Sequence, residues 1–187
     1  MTLFMLIGFS MAKAGEDVQI GNYKSGWVSD NFPVGIRTCY SLTQQIYTAS
    51  ELKRAGTITS ISFYHVWEDV SVSQFLMTDL KVYMKHVSKS TFSGGDAVPV
   101  SDDDLVWEGT FSTPKRDYQG WVTIPLDHAF DYNGTDNLLI CFYDDNPQRT
   151  SGTTNRFAYY GSQGNAIIYY TVANTPAPDL NDQHLRI

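Results

Sequence analysis

No segment of this chain has the hydrophobic periodicity of a long amphipathic helix, which excludes helical bundles and α/β folds. Its apolar residues instead alternate with polar ones over short runs. The alternation is clearest at residues 79–86, where Leu80, Val82 and Met84 lie on one side of the predicted strand. Clusters of Gly, Asn, Asp, Ser and Pro separate such runs. Short strands with turns between them predict an all-β fold, a two-sheet antiparallel β-sandwich.

The overall composition is typical of a single globular β domain. The chain has 187 residues, and 14% of them are aromatic, mostly Tyr and Phe, which favour pleated and half-buried surfaces. With 13 basic and 20 acidic residues the net charge is −7, and no basic patch is visible. Because an excess of carboxylates repels phosphate backbones, we expect no nucleic-acid partner.

The other strand candidates are rich in β-branched and aromatic residues; they are residues 57–67, 105–111, 121–126, 137–143, 156–160, 166–172 and 184–187. Residues 137–143 are apolar throughout, which predicts a strand covered on both faces. Pro125 cannot donate a ladder hydrogen bond, so we expect its strand to lie at a sheet edge or to end there. The only helical pattern is one or two turns at residues 50–56, with Ser50 as the cap.

The N-terminal residues have the character of a signal peptide. Residues 2–11 form an apolar run, too short to span a bilayer, which takes about 20 residues. The small residues Ala12 and Ala14 then provide a cleavage site. We therefore predict a signal peptide at residues 1–14, a single β-sandwich domain at 15–187, a secreted or cell-surface location, and no membrane span in the mature chain. The alternative is that the apolar run is a buried N-terminal strand.

The two cysteines, Cys39 and Cys141, are compatible with export but do not establish it. A bridge between them would close a loop of roughly a hundred residues and stabilise the fold by about 4–5 kcal/mol in the chain-entropy model. Without a bridge, they would pack as small apolar side chains. The sequence leaves both interpretations open.

No catalytic motif is visible in the chain: a G-x-S-x-G elbow, an H-E-x-x-H helix, a C-x-x-C pair and a phosphate-binding loop are all missing. Acidic residues that could act in glycoside hydrolysis occur at 102–104 and 144–145, but solvated turns explain both groups. We therefore expect that the protein is not an enzyme. The alternative is a secreted hydrolase, either a glycosidase or a peptidase, or an ancillary domain of one.

Aromatic residues near strand ends are the candidates for ligand binding. Trp121 lies on the side of its predicted strand opposite Val122 and Ile124, and Tyr118 precedes it in a loop. Trp67 ends another predicted strand. Because sugars stack their apolar faces on exposed aromatic rings, we predict a ligand site formed by Trp121, Tyr118 and Trp67. The alternative is that these rings fill the second face or an edge of a sheet.

A short acidic turn is a candidate cation site. Asp144, Asp145 and Asn146 directly follow an apolar strand, and Pro147 then prevents the ladder from continuing. Calcium prefers several oxygen ligands from carboxylates and amide or backbone carbonyls. These three residues therefore predict a bound Ca²⁺, with a hydrogen-bonded strand exit as the alternative.

Several segments occur in an order that resembles a known domain; they are YSLTQQIYTASEL at 40–52, GTITSISF at 56–63, LKVYMKH at 80–86, STF at 90–92, GWVTIPL at 120–126, FDYNG at 130–134 and NLLI at 137–140. In this order the chain resembles an exported β-sandwich surface domain, of adhesin type, from Bacteroidetes and other gut bacteria. The resemblance covers approximately residues 18–187. It implies a jelly-roll-like, non-catalytic domain, often one module of a larger adhesin-like or carbohydrate-binding protein. We therefore expect an exported cell-surface binding module whose partner is an extracellular glycan or a host or bacterial surface protein.

Overall fold

A computed structural model describes residues 2–3, 5–10, 17–21, 27–29, 31–35, 40–67, 76–92, 96–115, 118–145, 155–160 and 167–172. The strands are β1 (Thr2–Leu3), β2 (Met5–Ser10), β3 (Asp17–Ile20), β4 (Trp27–Ser29), β5 (Tyr40–Tyr47), β6 (Gly56–Trp67), β7 (Leu76–Val87), β8 (Leu105–Ser112), β9 (Gly120–Tyr132), β10 (Asn137–Asp144), β11 (Asn155–Tyr160) and β12 (Ile167–Val172). The helices in these ranges are short: α1 (Ala49–Leu52) and a 3-10 turn at Asp102–Asp104.

The strands form two sheets. In the seven-stranded sheet, the central strand β6 pairs with β9 along one edge and with β2 and β11 along the other. Strand β2 also pairs with β3, and β11 also pairs with β1 and β4. The five-stranded sheet has the order β12-β5-β10-β7-β8. All the pairings are antiparallel. The prediction of an all-β, two-sheet antiparallel sandwich is therefore confirmed; a jelly-roll strand order stays a prediction.

The main core lies between the two sheets. Ile140 and Phe142 of β10 belong to the same buried cluster as Ile61 and Phe63 of β6. The rings of Phe63 and Phe142 meet edge to face, with centroids 5.4 Å apart, so they join the sheets at the centre of the sandwich. All of residues 138–142 are buried, which confirms that this strand is covered on both faces.

A second cluster covers the outer face of the five-stranded sheet. Phe92 and residues 96–100, here called the covering segment, lie over this sheet and pack with Cys141 and other outward-facing residues. Gln44 of β5 is buried and bonds the main chain of the segment twice. Its Oε1 accepts from the Val98 amide at 2.8 Å, and its Nε2 donates to the Val98 carbonyl at 2.6 Å. The segment therefore converts an outer sheet face into a buried one.

Strand β9 is longer than predicted. It continues past Pro125 to Tyr132, with an irregular register opposite Ile58 and Ser60 of β6. In the described residues β9 pairs with β6 alone, so it is an edge strand and tolerates a proline without a donor. Of the other predicted strands, the one at residues 184–187 lies outside the described ranges.

The predicted cap of the short helix was wrong by two residues. Thr48, not Ser50, precedes α1, and the Glu51 carboxylate accepts hydrogen bonds from the Thr48 amide at 2.8 Å and the Thr48 hydroxyl at 2.7 Å. Lys53 ends the helix in the left-handed conformation, with φ of 61°, so the helix stops before Gly56. Glu51, at the third helical position, bonds back to Thr48 and so makes Thr48 the cap residue of the helix.

Residues of the predicted signal peptide form β1 and β2. Leu6 of β2 lies opposite Ser62 of β6, and Ile7 lies opposite Ile61. Residues 11–16, which contain the predicted cleavage site, lie outside the described ranges. Export and cleavage after Ala14 therefore stay predictions. Among the described residues, no helix has the length and apolar character needed to cross a membrane.

Cys141 is a free, buried thiol in β10. Its proposed partner Cys39 lies outside the described residues. Burial raises the pKa of the Cys141 thiol to about 12; the Gln44 hydrogen bond opposes this shift, and the charge of Asp104 adds to it. In the folded protein this thiol behaves as a small apolar side chain of the second cluster.

Candidate ligand-binding site

Alternation along β6 and β9 places one aromatic residue of each strand on the outer face of the seven-stranded sheet. In β6, Phe63 and His65 are buried while Tyr64 between them is partly exposed. In β9, Val122 is buried and its neighbour Trp121 is partly exposed. Tyr64 and Trp121 are directly opposite each other in the antiparallel register, so their side chains share one face.

The two rings meet at a nearly right angle. Their centroids are 5.5 Å apart and their planes are inclined by 85°, so the edge of one ring points at the face of the other. We call Tyr64 and Trp121 the aromatic corner. The next pair on this face is Ser62 and Thr123, whose hydroxyl oxygens are 2.7 Å apart, with Thr123 exposed. The face thus combines apolar rings with neutral hydroxyl groups.

Tyr118 lies beside Trp121, as predicted from their spacing, but it contacts the backbone. Its hydroxyl donates to the Trp121 carbonyl at 2.8 Å, and its ring packs against the main core. Gly120 permits this approach, because a Cβ there would lie 2.8 Å from the Tyr118 hydroxyl and its φ is 152°. In this structure Tyr118 therefore orients the start of β9.

His65 is a residue that the sequence analysis missed. It is 1% exposed, and its Nδ1 donates to the Tyr118 carbonyl at 2.6 Å. Its ring also meets Phe157 edge to face, with centroids 5.4 Å apart. The histidine thus ties the loop before β9 to the core. A signal for this role was available, because His65 shares a side of its strand with Ile61 and Phe63.

Trp67, the third predicted ligand residue, is the last residue of β6. Its backbone lies opposite Asn155 of β11. Its side chain lies outside the described part of the structure. A contribution of Trp67 to ligand binding therefore stays a prediction.

The residues of the predicted calcium site have different surroundings. Asp144 ends β10 opposite Ser41 and Leu80 and is 1% exposed, whereas Asp145 is exposed and Asn146 lies outside the described residues. No group of three or more His, Cys, Asp and Glu side chains that could hold a metal ion occurs within the described ranges. Calcium binding by Asp144, Asp145 and Asn146 stays a prediction.

The acidic turn at 102–104 and the nearby His86 have structural contacts. Asp102–Asp104 form the 3-10 turn, where the Asp104 carboxylate accepts from Lys85 Nζ at 2.9 Å and from the Ser101 amide at 3.0 Å. His86 Nε2 accepts from the Asn133 amide at 3.1 Å. The bonds of Lys85 and His86 thus connect β7 to the 3-10 turn and to the residue that follows β9.

Two open grooves occur elsewhere on the described surface. One, of about 390 Å³, lies between residues 86–89 and residues 96–99; the other, of about 320 Å³, lies beside Asp79, Lys81, Glu108 and Gly109. Neither includes the aromatic corner, which lies on an open sheet face. No protein family, curated protein or solved structure was found to match this chain, so its function is inferred from the site itself.

Proposed function

We propose that this protein is an exported, non-catalytic cell-surface module that binds carbohydrate on the outer face of its seven-stranded sheet. The observation that carries the proposal is the partly exposed aromatic corner, Tyr64 and Trp121, beside the exposed hydroxyl of Thr123. Aromatic rings supply the apolar contact that a pyranose face needs, and hydroxyl groups exchange hydrogen bonds with the sugar hydroxyls.

The charge of the protein supports a neutral ligand. The chain carries a net charge of −7, and hydroxyl groups lie next to the corner on its own two strands. A negatively charged protein disfavours polyanionic partners over long distances. A glycan on a host or bacterial surface protein would be bound in the same way, which connects the carbohydrate-binding and adhesin-like roles.

A glycan array comparing the parent protein with Trp121→Ala tests the proposal. We expect the parent to bind a subset of glycans and Trp121→Ala to lose at least about tenfold in affinity, equivalent to about 1.4 kcal/mol. Tyr143→Ala is the matched control, because Tyr143 is a partly exposed aromatic residue on the other sheet. Binding that Trp121→Ala leaves unchanged, or a parent protein that binds no glycan, contradicts the proposal.

A further inference from the structure

We infer that the aromatic corner selects a single pyranose ring at the end of a glycan over a residue within a long, flat polysaccharide chain. This inference rests on the proposed function and specifies the class of glycan. Its basis is the relative orientation of Tyr64 and Trp121 rather than the presence of aromatic residues alone.

A flat polysaccharide is best bound by aromatic rings that lie in one plane, since successive sugars then stack on successive rings. The rings of Tyr64 and Trp121 are inclined by 85°, with centroids 5.5 Å apart. A sugar that stacks on the face of one ring therefore has the other ring beside it as a wall. A single pyranose fits in the angle that the two rings form. A flat chain that extends towards the second ring collides with it.

The position of the corner leaves room for the rest of such a glycan. Trp121 belongs to β9, which pairs only with β6 in the described part of the sheet. A glycan can therefore place its terminal sugar in the corner and extend outwards past this edge. The exposed hydroxyl of Thr123 lies one step along β9, where it can bond to a hydroxyl of the bound ring, while the buried Ser62 holds it from the side of β6.

The orientation of the corner is stabilised from within the fold. His65 holds the Tyr118 carbonyl, and the Tyr118 hydroxyl holds the Trp121 carbonyl. The edge-to-face contact between the rings also favours this relative orientation. Because β6 and β9 are also paired at this point, the two rings present a preformed surface and little ordering is required on binding. Tyr64 is thus the specificity-determining residue, since its ring forms one of the two walls of the corner.

Isothermal titration calorimetry with two sets of probes tests the inference. The first set contains the methyl glycosides of glucose, galactose, mannose, fucose and N-acetylglucosamine. The second contains cellobiose, cellotetraose and cellohexaose, which form a flat chain of increasing length. The proteins are the parent, Tyr64→Ala, and Tyr64→Phe as a control that keeps the ring. Thermal unfolding of each variant verifies that it is folded.

For the parent we expect at least one methyl glycoside to bind, and the affinity for the cellulose fragments to change by less than about threefold with length. Tyr64→Phe keeps this behaviour, and Tyr64→Ala weakens binding of the methyl glycoside by about tenfold. An affinity that rises about tenfold from cellobiose to cellohexaose overturns the inference while leaving carbohydrate binding intact. Glycan binding that Tyr64→Ala does not change also overturns it. Failure of every probe, together with an empty glycan array, instead removes the proposed function.

Discussion

The outer faces of the two sheets have opposite surroundings. On the five-stranded sheet, Leu139 and Cys141 are 0% exposed because the covering segment lies over them. On the seven-stranded sheet, Tyr64 and Trp121 remain partly exposed and Thr123 is exposed. Both faces carry aromatic or apolar side chains, so composition does not distinguish them.

The covered face contributes buried surface to the fold, whereas the other face keeps partly exposed aromatic side chains. On the covered side, the buried Gln44 side chain bonds both main-chain groups of the partly buried Val98. On the other sheet, the hydroxyl of the buried Ser62 bonds to that of Thr123, which is exposed. This contrast makes the aromatic corner the candidate site.

The largest expected effect is the loss of stability in Phe92→Ala. Removing a fully buried phenylalanine should lower the free energy of unfolding by about 3–5 kcal/mol. Trp121→Ala should cost only about 1–2 kcal/mol, because its ring is partly exposed and its loss removes one edge-to-face contact. Urea unfolding of both variants measures the difference. Equal losses would mean that the two outer faces are equally buried.

A medium effect is expected for the glutamine that holds the covering segment. Gln44→Ala removes both hydrogen bonds to the Val98 main chain and the one to the Cys141 thiol, which should cost about 1–3 kcal/mol in urea unfolding. Gln19→Ala is the matched control, because Gln19 is exposed and donates to the Gly21 carbonyl at 3.1 Å. Its effect should stay within about 0.5 kcal/mol. A small effect of Gln44→Ala would show that the segment is held without this side chain.

The smallest effect is a pH dependence from Cys141. Burial raises the pKa of this thiol from 9.0 to about 12, so the folded state favours the neutral form. The resulting stability is complete below pH 9 and is lost as the pH rises towards 12. Between pH 7 and pH 10 the parent should therefore lose about 1.4 kcal/mol more than Cys141→Ala. Identical pH profiles for the two proteins in chemical unfolding would mean that the covering segment does not exclude water from the thiol.

Much of the strand framework could be predicted from local patterns. The alternation at residues 79–86 identified a strand and one of its buried sides, and the apolar run at 137–143 identified a strand that is buried on both. The outward position of Trp121 followed from its buried neighbour Val122. Tyr64 was not identified: alternation with Phe63 places it on the side of Ser60 and Ser62, but no local pattern shows that β9 brings Trp121 opposite it.

The β class of this protein and the side of its strand on which Trp121 lies could be inferred from the sequence alone, whereas Pro125 left an edge strand and a strand end as alternatives. These inferences rest on the alternation of side chains along a strand and on the missing backbone N–H of Pro125, both of which act within one strand. Only the tertiary structure decided that Tyr64 lies opposite Trp121 and that the covering segment lies on the other sheet. The reason is that strand register and the burial of a face depend on contacts between residues far apart in the chain, whose combined packing no local pattern encodes.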